Sequence, residues 1–120
     1  KKIESADGFI FITPEYNHGY SAILKNAIDF LWYEWNHKPV SFISYGNVTG
    51  GVRAVEQLRQ VLVEVEMVTI REGVIIPKIK DAVKNGELEN EDFKRHVIEM
   101  TERLLIWTKH LKKARKELSY

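Results

Sequence analysis

A chain of 120 residues with 18 Lys or Arg against 17 Asp or Glu carries a formal charge of +1, too little to select nucleic acid or a charged membrane surface. It has no cysteine, which excludes disulfides, thiolate nucleophiles and cysteine-ligated metal or iron–sulfur centres, so any redox chemistry has to come from a cofactor. At 44% hydrophobic and 29% charged residues it reads as one globular domain spanning 1–120, with no leader-like start and no apolar run near the ~20 residues of a bilayer span; the expected setting is the cytoplasm.

A polar segment, Lys1 to Asp7, leads through Gly8 into the first strand, Phe9 to Thr13. Gly8-Phe9-Ile10-Phe11-Ile12 carries no charge and reads as buried on both faces. Pro14 closes it. From Ser21 to about His37 apolar residues recur at helical spacing, with Leu24, Ala27, Ile28, Leu31, Trp32 and Trp35 on one face and Asn26, Asp29, Tyr33 and Asn36 opposite. Ile23 and Phe30 widen the apolar arc, which predicts two burial partners: a sheet, and a second helix or another subunit of a homo-oligomer. Pro39 ends the helix.

Val40 to Tyr45 is the second strand, followed by a glycine-bearing loop, Gly46 to Gly51, whose glycines let backbone approach a ligand closely. The next helix, about Gly51 to Glu66, buries Val55, Leu58, Leu62 and Val65 and turns Arg53, Glu56, Gln60 and Glu64 outward. Met67 to Ile70 is a third strand, while Gly73 to Pro77 reads as a short extended piece, because Pro77 cannot donate to a ladder. A brief helix over Lys78 to Lys84 and a turn at Asn85-Gly86 follow. Asn90 caps a last helix with the seam Phe93, Val97, Met100, Leu104, Trp107, Leu111. At 1.5 Å per residue that helix reaches about 42 Å and its end is expected to project. Its basic tail, Lys109 to Lys116, complements the helix dipole. The pattern β-α-β-α-β-α with short connections predicts an α/β fold, a parallel sheet with helices on both faces.

In such folds ligands bind at the carboxyl ends of strands. That singles out Thr13-Pro14-Glu15-Tyr16-Asn17-His18-Gly19-Tyr20, which offers a carboxylate, aromatic faces, an amide and an imidazole on a backbone shaped by Pro14 and Gly19. Taken alone, it also suits an ordinary βα loop whose Asn17 caps the next helix. His18, His37, His96 and His110 lack ligand spacing, so no metal site is expected. Gly46 to Gly51 has neither the P-loop nor the dinucleotide-fingerprint order. Arg53 has two readings, as an attractor of a nicotinamide cofactor's phosphate or as part of a solvated helix face.

The order of residues from Thr13 to Phe30 resembles the signature of the NAD(P)H-dependent FMN reductases, flavodoxin-like proteins that include quinone, azo-dye and chromate reductases. Ser44-Tyr45-Gly46, Gly50-Gly51-Val52-Arg53-Ala54, Gln57-Leu58-Arg59 and Val74-Ile75-Ile76-Pro77 resemble later segments of the same family, so the likeness covers roughly Ile3 to Pro77. It implies that Pro14, Glu15, Tyr16 and Asn17 border the FMN ring, with backbone N–H groups near its reducible edge, and that Tyr45, Gly46 and Gly50 meet the ring from the adjoining loop. It implies, further, hydride transfer from NAD(P)H through FMN to a small-molecule acceptor such as a quinone, an azo compound, free flavin or a metal oxyanion, in ping-pong turnover with no dedicated catalytic side chain.

Family members begin with a strand, a Ser- and Arg-bearing phosphate loop and further elements before the segment seen here. The expected architecture is therefore a flavodoxin-like three-layer sandwich without its amino-terminal strands, with Phe9 to Thr13 left at a sheet edge. Three phosphate contacts at about 1.5 kcal/mol each would be missing, an expected loss of about 10³-fold in FMN affinity. Two alternatives accompany this reading. One is a non-catalytic flavodoxin-like piece acting in assembly through Trp32, Tyr33 and Trp35 or the strand edge; the other is a flavin-binding electron carrier.

Overall fold

The structure, a computed structural model, describes residues 1–88 and 90–118. After a single helical turn, α1 (Lys2–Ser5), the chain forms β1 (Phe9–Pro14), α2 (Ala22–Asp29), β2 (Pro39–Tyr45), α3 (Val52–Glu64) and β3 (Val68–Ile76). The strands make one parallel sheet in the order β1-β2-β3, the arrangement that short strand–helix–strand connections produce. A short helix α4 (Ile79–Ala82), a two-residue-strand hairpin of β4 (Val83–Lys84) and β5 (Glu87–Leu88), and the 28-residue α5 (Glu91–Leu118) follow. No helix among the described residues is long and apolar enough to cross a membrane.

Three layers result. Phe11, Val40 and Phe42 project from one sheet face onto Ile28, Leu58 and Leu62 of α2 and α3. On the other face α5 lies over β2 and β3, where Val74 and Ile76 meet Met100, with Phe93 and Val97 beside them. Each fully buried side chain of this size contributes about 1.5–3 kcal/mol. The two cores are separate because side chains alternate across a strand.

That alternation corrects the reading of β1. Its inner face is buried, Phe11 at 8% and Thr13 at 0% exposure, but Ile10 and Ile12 on the opposite face are 39% and 64% exposed. The strand lies at the edge of the sheet, as expected from its place in the order, and the described residues leave the Ile10 and Ile12 face partly open.

The helix expected from Ser21 to His37 stops at Asp29. Trp35 explains the stop: its indole N–H donates to the Ile28 carbonyl at 3.0 Å, an acceptor that a continuing helix would give to the Trp32 N–H. Trp32 N–H instead meets the Glu34 carboxylate at 3.3 Å. The chain winds down in tight turns and tucks Trp35 edge-on against Phe9 and Phe11, with ring centroids 5.1 and 5.9 Å away. Trp35 is thus core, not part of an outer surface with Trp32 and Tyr33.

β3 is also longer than expected. Val40 pairs with Thr69 and Phe42 with Gly73, so two extra β3 residues are accommodated by an irregularity, after which pairing resumes to Ile76. The Ser41 hydroxyl satisfies the displaced Glu72 carbonyl at 2.6 Å. Pro77 falls just beyond the ladder, where no donor is required. α5 runs to Leu118, and its expected projecting end is tied down. Lys112 reaches Asp7 at 2.6 Å, and Arg115 pairs with Asp7 and donates to the His37 carbonyl. Asn90 caps it as expected, its side-chain oxygen accepting from Asp92 N–H at 2.9 Å.

Candidate functional site

Parallel pairing places Pro14 level with Tyr45, so the loops after β1 and β2 start side by side at the carboxyl end of the sheet. Glu15 N–H extends the ladder by one bond to the Tyr45 carbonyl, at 3.2 Å. Beyond it the chain reverses through a two-residue turn. Tyr16 N–H donates to Gly19 O at 3.0 Å and Gly19 N–H to Tyr16 O at 2.9 Å, with Asn17 and His18 at φ of 47° and 69°. Two consecutive left-handed residues between paired neighbours are the geometry of a type I′ turn. Asn17 therefore shapes the turn rather than capping α2; Ser21 is the cap, its hydroxyl accepting from Ile23 N–H at 3.2 Å.

The Glu15 side chain, only 5% exposed, turns back into the protein. Its carboxylate accepts from the Thr49 hydroxyl at 3.1 Å, from Arg53 N–H at 3.2 Å and from Arg53 Nε at 2.5 Å, and it pairs with the far end of the same guanidinium. The N-cap of α3 is Gly51, which has no side chain to cap with, so Glu15 supplies from β1's loop the acceptor that the first helical turn lacks. A negative charge there also complements the helix dipole. Burial pushes the Glu15 carboxyl up, but the hydrogen bonds from Arg53 and Thr49 and the Arg53 charge outweigh it and hold the group below its ordinary range.

Arg53 reaches further. Its Nη1 lies 2.6 Å from His18 Nε2. A guanidinium only donates, so Nε2 accepts and the ring proton sits on Nδ1. Gln57, one turn along α3, donates to the His18 carbonyl at 2.7 Å. Arg53 thus joins the start of α3 to both the Glu15 carboxylate and the turn, with its side chain still 41% exposed.

In the second loop Gly50 and Gly51 both take left-handed backbone, φ 62° and 87°. A Cβ on Gly51 would come within 2.8 Å of Ser44 Cβ and 3.0 Å of the Tyr45 backbone, so α3 can start this close to β2 only from glycine.

Between the loops lies an open cavity of about 420 Å³. Pro14, Glu15 and Tyr16 form one side, Tyr45, Gly46 and Asn47 the next, and residues 78–81 the third. Pro14, Glu15, Tyr16, Tyr45 and Gly46 are therefore gathered on one cavity. Asn17 sits in the exposed turn beside it, and Gly50 is buried behind it, against Ile75 and Pro77. The third wall was not read from the sequence. It is hung on the second loop by Lys78 N–H to Asn47 O at 2.5 Å and Ile79 N–H to Gly46 O at 3.1 Å. The available signal was Pro77, which ends a strand at the same edge where β1 and β2 end.

Chemically the cavity offers flat and apolar surface, the Pro14 ring, two tyrosines and Ile79, with a rim of Lys78, Lys80 and Asp81. Its volume lies in the range of small-molecule sites. Such a lining fits a planar heteroaromatic ring. The buried carboxylate of the lining, Glu15, is already taken up by Thr49 and Arg53, whose hydrogen bonds favour its ionised form.

A family model described as NADPH-dependent FMN reductase matches residues 1–81. The chain is 43% identical over 101 residues to an NAD(P)H-dependent FMN reductase of Schizosaccharomyces pombe, a match covering 73% of this chain and 50% of that protein. It is 31% identical over 118 residues to an NADPH azoreductase of a Bacillus species, covering 97% and 65%. Among solved structures it resembles the flavoenzyme NAD(P)H:(acceptor) oxidoreductase of Paracoccus denitrificans, with a TM-score of 0.64, 26% identity, and 93% of this chain and 64% of that one covered. The chain spans about half the length of the curated FMN reductases it matches.

Proposed function

Because the chain belongs to the NADPH-dependent FMN reductase family, we propose that the cavity between the β1 and β2 loops holds the ring of FMN and that the domain, residues 1–120, serves an NAD(P)H-dependent oxidoreductase. The observation that carries this reading is the convergence of Pro14, Glu15, Tyr16, Tyr45 and Gly46 on one cavity at the carboxyl end of a parallel sheet. Bound flavin supplies the redox chemistry, taking hydride from NAD(P)H and passing it to a small-molecule acceptor. Quinones, azo compounds, free flavin and metal oxyanions are the acceptor classes we propose.

The chain's own part is to bind, orient and shield. Tyr16 and Tyr45 offer faces to the ring, Gly46 leaves room beside it, and backbone donors of the first loop complement negative charge on a reduced ring. Glu15 acts from behind, fixing both loops while donating no proton. Asn17 and Gly50 join the ring site through their backbones, Asn17 as a turn residue and Gly50 by setting the course of the second loop.

Titration of the chain with FMN and with lumiflavin, which lacks the phosphate, followed by quenching of flavin fluorescence, tests the reading. Quenching by both is expected, with NADPH oxidised in the presence of FMN and a quinone. No quenching by either at millimolar concentration would refute it. An assembly role is the second reading, favoured by Ile23, Phe30 and Tyr33, which are 83%, 83% and 79% exposed on the outer side of α2 and the turn after it. A homo-oligomer joined there would elute at a multiple of 14.0 kDa, and Phe30→Glu would return it to a monomer.

A further inference from the structure

The Tyr16–Gly19 turn is built with unusual redundancy for an exposed loop. Four residues outside it hold it: Tyr45 through the Glu15 N–H, Thr49 and Arg53 through the Glu15 carboxylate, and Gln57 through the His18 carbonyl. Arg53 alone spans both ends, with Nε on Glu15 before the turn and Nη1 on His18 inside it. An exposed type I′ turn needs no such support to reverse a chain. Within the turn, Tyr16 and Gly19 use their N–H groups on each other, whereas no acceptor among the described residues takes the N–H of Asn17 or of His18. Two backbone donors that directly follow Tyr16, a residue lining the cavity, are thus unpaired among the described residues, on a residue pair held from α3.

We propose that Arg53 and Gln57 are positioning residues, which grip His18 so that the unpaired backbone N–H groups of Asn17 and His18 are preset as donors to the flavin ring. The inference rests on the flavin reading of the cavity and deepens it: Arg53 and Gln57 act on the ligand only through the turn. Fixed donors cost no reorganisation when charge appears on the ring, and that is the use of fixing them beforehand. The grip also requires the Nδ1–H tautomer of His18, because Nε2 has to accept from Arg53.

Two variants test the proposal on the full chain, Arg53→Met and Gln57→Ala, with Arg53→Lys as a partial rescue that keeps charge but loses the fork. Backbone hydrogen exchange of Tyr16 and Gly19, whose N–H groups close the turn, reports its closure without any flavin. Lumiflavin titration and the absorbance shift of the bound ring report the donors. In Arg53→Met, exchange at Tyr16 and Gly19 is expected to speed about tenfold or more while amides of β2 keep their protection. Lumiflavin affinity is expected to fall about tenfold, with Gln57→Ala and Arg53→Lys in between. Gln57 is exposed and removes one bond only, so its variant serves if Arg53→Met does not fold. Wild-type exchange at Tyr16 and Gly19 in both variants would overturn the grip. A released turn with unchanged lumiflavin affinity and absorbance would overturn the preset donors. Failure of the wild-type chain to bind lumiflavin at all would instead remove the flavin reading on which both stand.

Discussion

The two long walls of the cavity are made differently. The wall of the β1 and β2 loops is held by a buried carboxylate with four contacts to Thr49 and Arg53, by two left-handed glycines pressed on β2 and β3, and by a hairpin turn gripped from α3. The wall of residues 78–81 hangs on Asn47 and Gly46 by two backbone bonds and shows Lys78, Lys80 and Asp81 to solvent. One wall is fixed and bare of free charge; the other is loosely held and charged. A flavin held as proposed above would put this division to use, a rigid surface for the ring and an adaptable rim for the reactants that follow it.

The contrast predicts a graded series. Gly51→Ala should have the largest effect, because an alanine there combines positive φ with overlap on Ser44 and Tyr45. A loss of about 3 kcal/mol or more is expected in urea unfolding; a loss below about 1 kcal/mol would show that the wall can give. Glu15→Ala comes next. It leaves Arg53 without its partner, but the Arg53 side chain is 41% exposed and water can take over, so about 1–2 kcal/mol is expected rather than the cost of a fully buried pair. Lys78→Ala and Lys80→Ala are expected within about 0.5 kcal/mol of the parent in stability. Their signature would be a lower rate with anionic acceptors than with neutral ones, and equal changes for both would mean that the rim does not select.

Acid sharpens the same comparison. The Glu15 carboxyl is held below its ordinary value in the folded chain, so the stability it gives is complete above the unfolded carboxylate pKa, about 4.3, and is lost as pH falls through the lower folded value. Asp7 behaves alike at the opposite end of the sheet, where the hydrogen bond from Lys112 and the charges of Lys112 and Arg115 outweigh its burial. Unfolding followed from pH 6 to pH 2 should show Glu15→Gln with a shallower acid loss than the parent. An identical profile would place the titrating carboxylates elsewhere.

Much of the fixed wall was legible in the sequence, because strand, proline, turn residues and glycines act locally. Thr13 to Tyr20 announces a strand end and a shaped loop, and the second loop announces its glycines, but the cap of α2 falls on Ser21 and not on Asn17. What could not be read there depends on contacts distant in sequence. Arg53 looks like any charged residue on an amphipathic helix until α3 lands beside β1's loop. Trp35 fits the helical spacing of α2 yet ends that helix by taking the Ile28 carbonyl from 7 residues away. β3 absorbs two extra residues because Ser41 receives the displaced carbonyl, a bond made 31 residues apart. The apolar pattern of β1 describes burial on two faces, whereas the described chain covers one, and Ile10 and Ile12 remain exposed. Residues 78–81 carry no site motif and enter the cavity only because β3 ends beside β2.

The measurement closest to the central claim is a map of backbone amide shifts across the ¹⁵N-labelled chain on addition of lumiflavin. Shifts confined to Tyr16, Asn17, His18, Gly46, Asn47 and residues 78–81, with Gly50 and Gly51 changing little, are the predicted result. Shifts centred on the exposed residues of α2, or spread over the sheet with the cavity silent, would contradict it.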